Sequence, residues 1–479
     1  MLLTLLATMS STSAAQDLSH RKSMLNLTVY DSEGNPIPNA AVSLQMKKHA
    51  FKFGSQVRDR FYAISEYEFN TLTNTQKQNL LPNLGEFGQT PYTPSWQDAL
   101  NYRQAVVDNF NHVVPTTGMQ WVALNNSGPT VPDAAIIQAQ ASGLTATGAS
   151  VVWQRDRWPT PVEFRSAASP NANDFHTAMI ADRLSASGVM GRFSDTGAGP
   201  TITDWKVLNE PLHETYYADT FVAAGIYSSV NAAQADYFIR ANAVHPDATL
   251  SINDFNIFNA ATDNPAIAFR DMVNALLAAG APIDRIGVQA HMSRTDVTKA
   301  DMVRRINILA QTGLGIEISE FDTRDDAAQL TPAQQQQMFQ DVLEAAFESP
   351  AVDGFIMWGF WDPGHWRGNG PLFDANWNVK TEASPWFNLV MDQWMTDITV
   401  LTDLNGQWVA PDGVFSGLYD ITVATTGSST VFNDYDLSSD GNFILVINEP
   451  ENIPALNGFG LLILGLSMLG LAAARLDAR

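Results

Sequence analysis

Asp204–Glu210 reads DWKVLNE, a short apolar run that closes on an amide and an acid. The same theme recurs between about residues 50 and 397. Earlier runs are Phe51–Gln56 (FKFGSQ), His112–Thr117 (HVVPTT) and Ala149–Gln154 (ASVVWQ). Later ones are Leu250–Phe255 (LSINDF), Ile286–His291 (IGVQAH), Leu314–Glu320 (LGIEISE) and Gly354–Phe360 (GFIMWGF). Longer stretches with helical periodicity lie between them. Ser95 precedes WQDALNYRQAVVDNF, where Ala99, Tyr102, Val106 and Phe110 recur at helical spacing. Thr331-Pro332 opens AQQQQMFQDVLEAAF with an N-cap and a proline at the first helical position. Ala232–Val244 and Asp263–Ala279 behave likewise. Eight strand signals are the number a closed (β/α)8 barrel needs. A doubly wound open sheet alternates similarly, but usually carries a Gly-rich phosphate loop after its first strand, and none is present. The expected fold is α/β, a (β/α)8 barrel.

Composition narrows the function. Hydrophobic residues make up 45% and charged ones 16% of 479, which excludes a disordered chain and a multi-span membrane protein. A formal charge of −23 repels phosphates and argues against nucleic acid as a partner. With no cysteine there are no disulfides, no thiol chemistry and no Cys-ligated metal. No metal motif stands out, and no cofactor is expected.

In such barrels the C-terminal strand ends face the active site. Here they carry Gln154, Asn209-Glu210, Asp254, Gln289, His291, Glu320, Asp322, Trp358 and Trp361. Carboxylates, amides, an imidazole and indoles on one mouth suit carbohydrate, because indole faces stack on sugar rings while amides and carboxylates read hydroxyls. Glycosidic cleavage needs one carboxyl to protonate the leaving oxygen and a second to attack the anomeric carbon or activate water. Glu210 and Glu320, ending the fourth and seventh strands, come from opposite sectors of the mouth. Their long side chains can approach to about 5–5.5 Å, the separation of a retaining enzyme.

WKVLNEP at Trp205–Pro211 and ISEFD at Ile318–Asp322 resemble the acid/base and nucleophile motifs of glycoside hydrolase family 10, the β-xylanases. FKFGSQV at Phe51–Val57, SINDFNI at Ser251–Ile257, IGVQAHM at Ile286–Met292 and IMWGFWDPGHWR at Ile356–Arg367 follow in family order. The resemblance implies an endo-β-1,4-xylanase-like retaining enzyme that needs no cofactor. It implies Glu210 as general acid/base and Glu320 as nucleophile, with Asn209 on the sugar 2-hydroxyl. His291, held with Gln289, orients Glu320, and Asp322 supports the nucleophile. Trp358 and Trp366 form aromatic walls; Trp121, Trp153 and Gln154 complete the substrate-binding set. The second strand departs from the family's Glu-Asn-x-Met-Lys-Trp: Thr116, Thr117 and Gln120 replace the acid, amide and ammonium. At the third strand Gln154 stands for a histidine. These changes motivate one rival reading, the same mechanism on another β-glycan or from a chain end; a second rival, a non-catalytic surface glycan binder, is opposed by the intact Glu210 and Glu320. Arg155, Asp156, Arg157 and Trp158 offer either a replacement grip or a salt-bridged loop.

The flanks supply the remaining domains. Leu25–Gln45 reads as two strands around a turn, and Thr402–Ala424 again as strands. They resemble the opening and closing halves of transthyretin-like β-sandwich modules, so segments 24–49 and 398–448 are expected to pair around an inserted barrel at 50–397. The polar stretch Thr425–Ser439 reads as a loop, and Phe443–Ile447 as a closing strand. Residues 1–15 resemble a signal peptide. Ile453–Leu456 and the uncharged run Phe459–Ala474, within segment 449–479, resemble a bacterial C-terminal sorting signal. The expectation is therefore a monomer, secreted or associated with the cell envelope, with membrane anchoring through that segment and a polysaccharide as partner.

Overall fold

The computed structural model describes residues 17–82, 91–323 and 330–447. The segments expected to be a signal peptide and a sorting signal lie outside these residues. Among the described residues, no helix is long and apolar enough to cross a membrane. The chain forms two units, one centred on Lys48–Met395 and one joining Ser23–Lys47 to the chain from Thr396 onward.

In the first unit eight parallel strands close a barrel: Lys52–Val57, His112–Pro115, Thr145–Trp153, Asp204–Asn209, Thr249–Asp254, Arg285–Val288, Gly315–Thr323 and Val352–Met357. The seam is direct, with Gly354 opposite Lys52 and Met357 opposite Ser55. Every strand is flanked by strands and covered by helices, which is why these sequences run apolar rather than alternating. In Asp204–Asn209 and Thr249–Asp254 all but the first residue are buried. The eight expected runs coincide with the eight strands. A two-residue strand, His291–Met292, extends the sixth and sets His291 opposite Asp322 of the seventh.

The connecting helices begin where side-chain oxygens satisfy their free N–H groups. Ser95 with Asp98, Thr298 with Asp301 and Thr331 with Gln334 form reciprocal capping boxes on Trp96–Asn109, Lys299–Ala310 and Pro332–Glu348. Losing such a cap costs about 1 kcal/mol. Between helices and strands an aromatic layer fills the gap: Phe347 stacks on Trp394 at 4.0 Å, and Phe53 meets Trp386 edge-on at 5.5 Å.

The N-terminal end of the barrel is closed by ions instead. Lys52 Nζ donates to Asp204 Oδ2 (2.5 Å) and Glu317 Oε2 (2.8 Å). Arg285 reaches Asp204 (2.6 Å) and Asp353 (2.9 Å). His112, fully buried beside these cations, is pushed well below the usual imidazole range by burial and by Lys52. Its two ring nitrogens meet the hydroxyls of Thr145 and Thr147.

Among the described residues the second unit has two sheets of three or more strands. One orders Asp397–Leu401, Ala41–His49, Gly417–Ala424 and Ser429–Asp436; the other orders Gln407–Val409, Leu25–Tyr30 and Gly441–Val446. Each sheet therefore draws strands from both flanks. Ser429–Asp436, expected as loop, is a strand paired antiparallel to Gly417–Ala424. It is an edge strand, so one side of its ladder and one face are wet, and polar residues such as Asn433 and Asp434 are tolerated there.

Candidate active site

The fourth strand delivers the first carboxyl. Glu210 follows its last residue in the left-handed conformation (φ 58°), which a side-chain-bearing residue adopts at a cost of about 1–2 kcal/mol. Its N–H donates to Asn253 O (2.7 Å) on the fifth strand. The next turn is tied down by Asp254, which accepts from Leu212 N (2.8 Å) and His213 Nδ1 (2.7 Å). At the carboxyl itself, Gln289 Nε2 donates to Oε1 (3.0 Å) and Trp153 Nε1 to Oε2 (2.8 Å). Burial pushes Glu210 above the usual carboxylate range, and the charge of Glu320 adds to the rise; the Gln289 and Trp153 bonds oppose it.

The seventh strand delivers the second. Glu320 is only 5% exposed. Its Oε1 accepts from Lys206 Nζ and from Asn253 Nδ2 (2.9 Å), while His291 Nε2 lies 3.5 Å from Oε2. Burial alone would raise this carboxyl. The Lys206 ammonium and His291 reverse that, and Glu320 lies below the usual range. Two carboxyls that sense each other's charge are thus driven in opposite directions by their surroundings, the signature of an acid and an anion sharing one task.

Behind Glu320, Asp322 organises three rings. Its Oδ1 sits 2.9 Å from His291 Nδ1, and its Oδ2 accepts from Trp366 Nε1 (2.7 Å) and lies 3.3 Å from His365 Nε2. Burial opposes charge on His291, but the carboxylates of Asp322 and Glu320 prevail, and the imidazole is pushed up to about 9. Asp322 is held well below the carboxylate range, His291 overcoming the effect of burial. The two carboxylates thus favour the imidazolium form of His291, which lies between them.

The amides form a second layer. Asn253 is fully buried; its Nδ2 also donates to Asn209 Oδ1 (2.7 Å), and its Oδ1 accepts from Ser319 Oγ (2.5 Å). A Cβ at position 287 would collide with that Oδ1, so the sixth strand passes there as glycine. Trp358 is half-buried against Val114, Ala149 and Ile356, with Lys206 Nζ 4.9 Å from its ring centre. Trp366 is half-buried too, its ring 5.4 Å from that of His291.

Several expectations need correction. Trp121 is buried away from this cluster: it stacks on Phe164 (5.6 Å) and donates to Asp182 (2.8 Å). Gln154 is fully buried, its Oε1 accepting from Ala218 N (3.0 Å) and its Nε2 donating to Glu214 O (3.3 Å), so it offers nothing to a ligand. Gln289 bonds Glu210 rather than steadying His291, whose holder is Asp322. The loop after the third strand is salt-bridged, with Arg157 on Glu214 (2.5 Å) and Arg155 over the Trp153 ring at 4.3 Å. Gln120 is buried, with Ala149 O 3.5 Å from its amide. Sequence reasoning missed Lys206 and Asn253. A lysine among Trp205, Val207 and Leu208 was itself the signal, since a buried ammonium demands a carboxylate.

Among the described residues, no group of three or more His, Cys, Asp or Glu side chains is arranged to hold a metal. Comparison with known proteins agrees with the barrel. A solved structure of xylanase 10B from Thermotoga maritima superposes with a TM-score of 0.53 at 18% identity, covering 71% of this chain and 95% of its own. Anti-sigma-I factor RsgI6 of Acetivibrio thermocellus is 25% identical over 415 residues, 85% of this chain and 45% of that protein. This chain thus spans less than half the length of that relative. Endo-1,4-beta-xylanase B of Thermotoga neapolitana is 24% identical over 303 residues, 60% of this chain and 82% of that enzyme. The model of glycosyl hydrolase family 10 matches residues 78–392, from before the second strand to past the eighth, and by that match the chain belongs to glycosyl hydrolase family 10.

Proposed function

We propose that the chain is a retaining glycoside hydrolase acting on β-1,4-linked xylan, with Glu210 as general acid/base and Glu320 as nucleophile. The opposed bias of the two carboxyls carries this reading: burial raises the proton affinity of Glu210, while the neighbouring cations lower that of Glu320. In the first step Glu320 attacks the anomeric carbon while Glu210 protonates the departing oxygen. The ester removes the negative charge that had helped hold the proton on Glu210. That carboxyl then ionises more readily and takes a proton from the incoming water. Asn209, whose oxygen is committed to Asn253, has its NH2 group to donate to a sugar hydroxyl. Trp358 and Trp366 flank the reacting sugar. The substrate is named by analogy with the xylanase relatives.

A second reading keeps the mechanism and changes the glycan or the mode of attack. It draws on Thr116, Thr117 and Gln120, which leave the second strand without an acid or an ammonium. One experiment separates these: product release from xylan, arabinoxylan, mixed-linkage glucan and cellulose, with wild type beside Glu320→Ala. Xylo-oligomers from wild type alone are the expected result. Activity on another glycan only would replace the substrate, and binding without turnover anywhere would make the chain a glycan-binding protein. Export to the envelope belongs to the proposal as well, on the pattern of Met1–Ala15, and cell fractionation tests it.

A further inference from the structure

So far Lys206 has served only to favour the ionised form of Glu320, yet it is among the most constrained residues of the site. It lies in the middle of the fourth strand, is 3% exposed, and directs its ammonium at Glu320 Oε1 beneath the Trp358 ring. Asn253 Nδ2 occupies the same oxygen. A carboxylate oxygen has two in-plane lone pairs, and these two donors take both. Among the described residues Oε2 faces His291 alone, at 3.5 Å.

We propose that Lys206 is a positioning residue that, with Asn253, pins Oε1 of Glu320, so that Oε2 is the attacking atom, and that it then polarises the carbonyl of the glycosyl ester to speed its hydrolysis. This rests on Glu320 being the nucleophile. In the first step an Oε2 lone pair forms the bond to the anomeric carbon, the bond to the leaving oxygen breaks, and that oxygen takes the proton of Glu210. Oε1 becomes the ester carbonyl oxygen, still facing the ammonium and the amide. In the second step water attacks the anomeric carbon and gives a proton to Glu210. The ester C–O bond breaks, and its electron pair returns to Glu320 as negative charge that Lys206 meets at once. A donor fixed where charge develops accelerates a step by about 10²–10³-fold. The face of Trp358 gives the ammonium a second favourable contact while its counterion is tied up in the ester.

The test uses Lys206→Met, Lys206→Gln and Lys206→Arg in the full chain, with two readouts. The first is direct titration of the Glu320 carboxyl by carbon-13 NMR, assigned with Glu320→Gln. The groups facing that carboxyl are Lys206 and Glu210 from the fourth strand and its end, Asn253 from the fifth and His291 after the sixth. Asp322 and His365 stand one contact further. Removing the ammonium leaves His291 as the only facing cation among the described residues, so Lys206→Met titrates at higher pH than wild type, while Lys206→Arg stays close to it. The second readout is pre-steady-state release of an aryl leaving group from an aryl β-xylobioside. Lys206→Met gives a burst followed by a kcat about 10²-fold lower, with KM falling alongside as the ester accumulates. A structural role would lower melting temperature in the Met variant and leave both readouts where they were. If Lys206→Met fails to fold, Lys206→Gln carries the same comparison with the volume filled. An unchanged Glu320 titration overturns the pinning, and a shifted titration without a burst overturns the polarisation. Should wild type be silent on every glycan, the hydrolase reading falls, and the titration alone decides the pin.

Discussion

Replacing Asp322 by Asn should convert His291 from an imidazolium to a neutral ring, and the cost can be worked out. His291 is 14% exposed by side chain and is pushed from 6.5 up to about 9 by Asp322 and Glu320 against the effect of burial. At 1.36 kcal/mol for each tenfold change in proton affinity, this rise is worth roughly 3 kcal/mol of native stability. A raised folded-state value contributes fully below about 6.5, where His291 is protonated in both states. The contribution is lost as pH rises through about 9. Asn preserves the shape and still accepts from Trp366 Nε1, so the charge is what changes. Urea unfolding of wild type and Asp322→Asn at pH 6, 7.5 and 9.5 measures the gap between them. We expect a gap of up to about 3 kcal/mol at pH 6 that shrinks toward pH 9.5. A gap of equal size at all three pH values would refute the imidazolium assignment and leave Asp322 as a plain hydrogen-bond acceptor.

Other expectations follow from single contacts. Gln289→Ala removes a donor that stabilises ionised Glu210, so the basic limb of the kcat/KM profile should move to higher pH; a shift to lower pH would contradict the bond. Glu210→Ala should cut turnover of unactivated glycan by 10²–10⁴-fold while sparing the first step with a good aryl leaving group, read by stopped-flow release. Trp121→Ala should destabilise the barrel by about 3–5 kcal/mol without changing KM, whereas Trp366→Ala should raise KM; calorimetry and steady-state kinetics separate the two.

What the sequence disclosed and what it withheld have physical causes. The strands were legible because a barrel strand is buried on both faces and reads as an unbroken apolar run, and the helix starts because capping chemistry is local. Glu210 and Glu320 were legible because strand ends face one mouth. Periodicity gives position along a strand, however, and not what a side chain meets there. Gln154 and Trp121 follow strand ends in the sequence, yet Gln154 caps the segment at Ala218 and Trp121 joins the Phe164–Phe175 stack. Asn253 and Lys206 reach Glu320 across strands 67 and 114 residues away, a relation no local pattern encodes. The strand at Ser429–Asp436 was missed because an edge strand has little hydrophobic signature to read.

The ionic floor of the barrel has a consequence for how the chain reaches its native state. Lys52 needs partners 152 and 265 residues further on, and Arg285 needs one on the eighth strand. Each charge is desolvated at several kcal/mol and is compensated only when its distant partners arrive. A ring lacking its seventh strand would leave both cations on the single carboxylate of Asp204, so half-barrels gain nothing by closing early. Such non-local closure makes folding slow and cooperative, with the seventh strand acting as the latch. A nascent chain that has not yet emitted residue 317 has every reason to stay open.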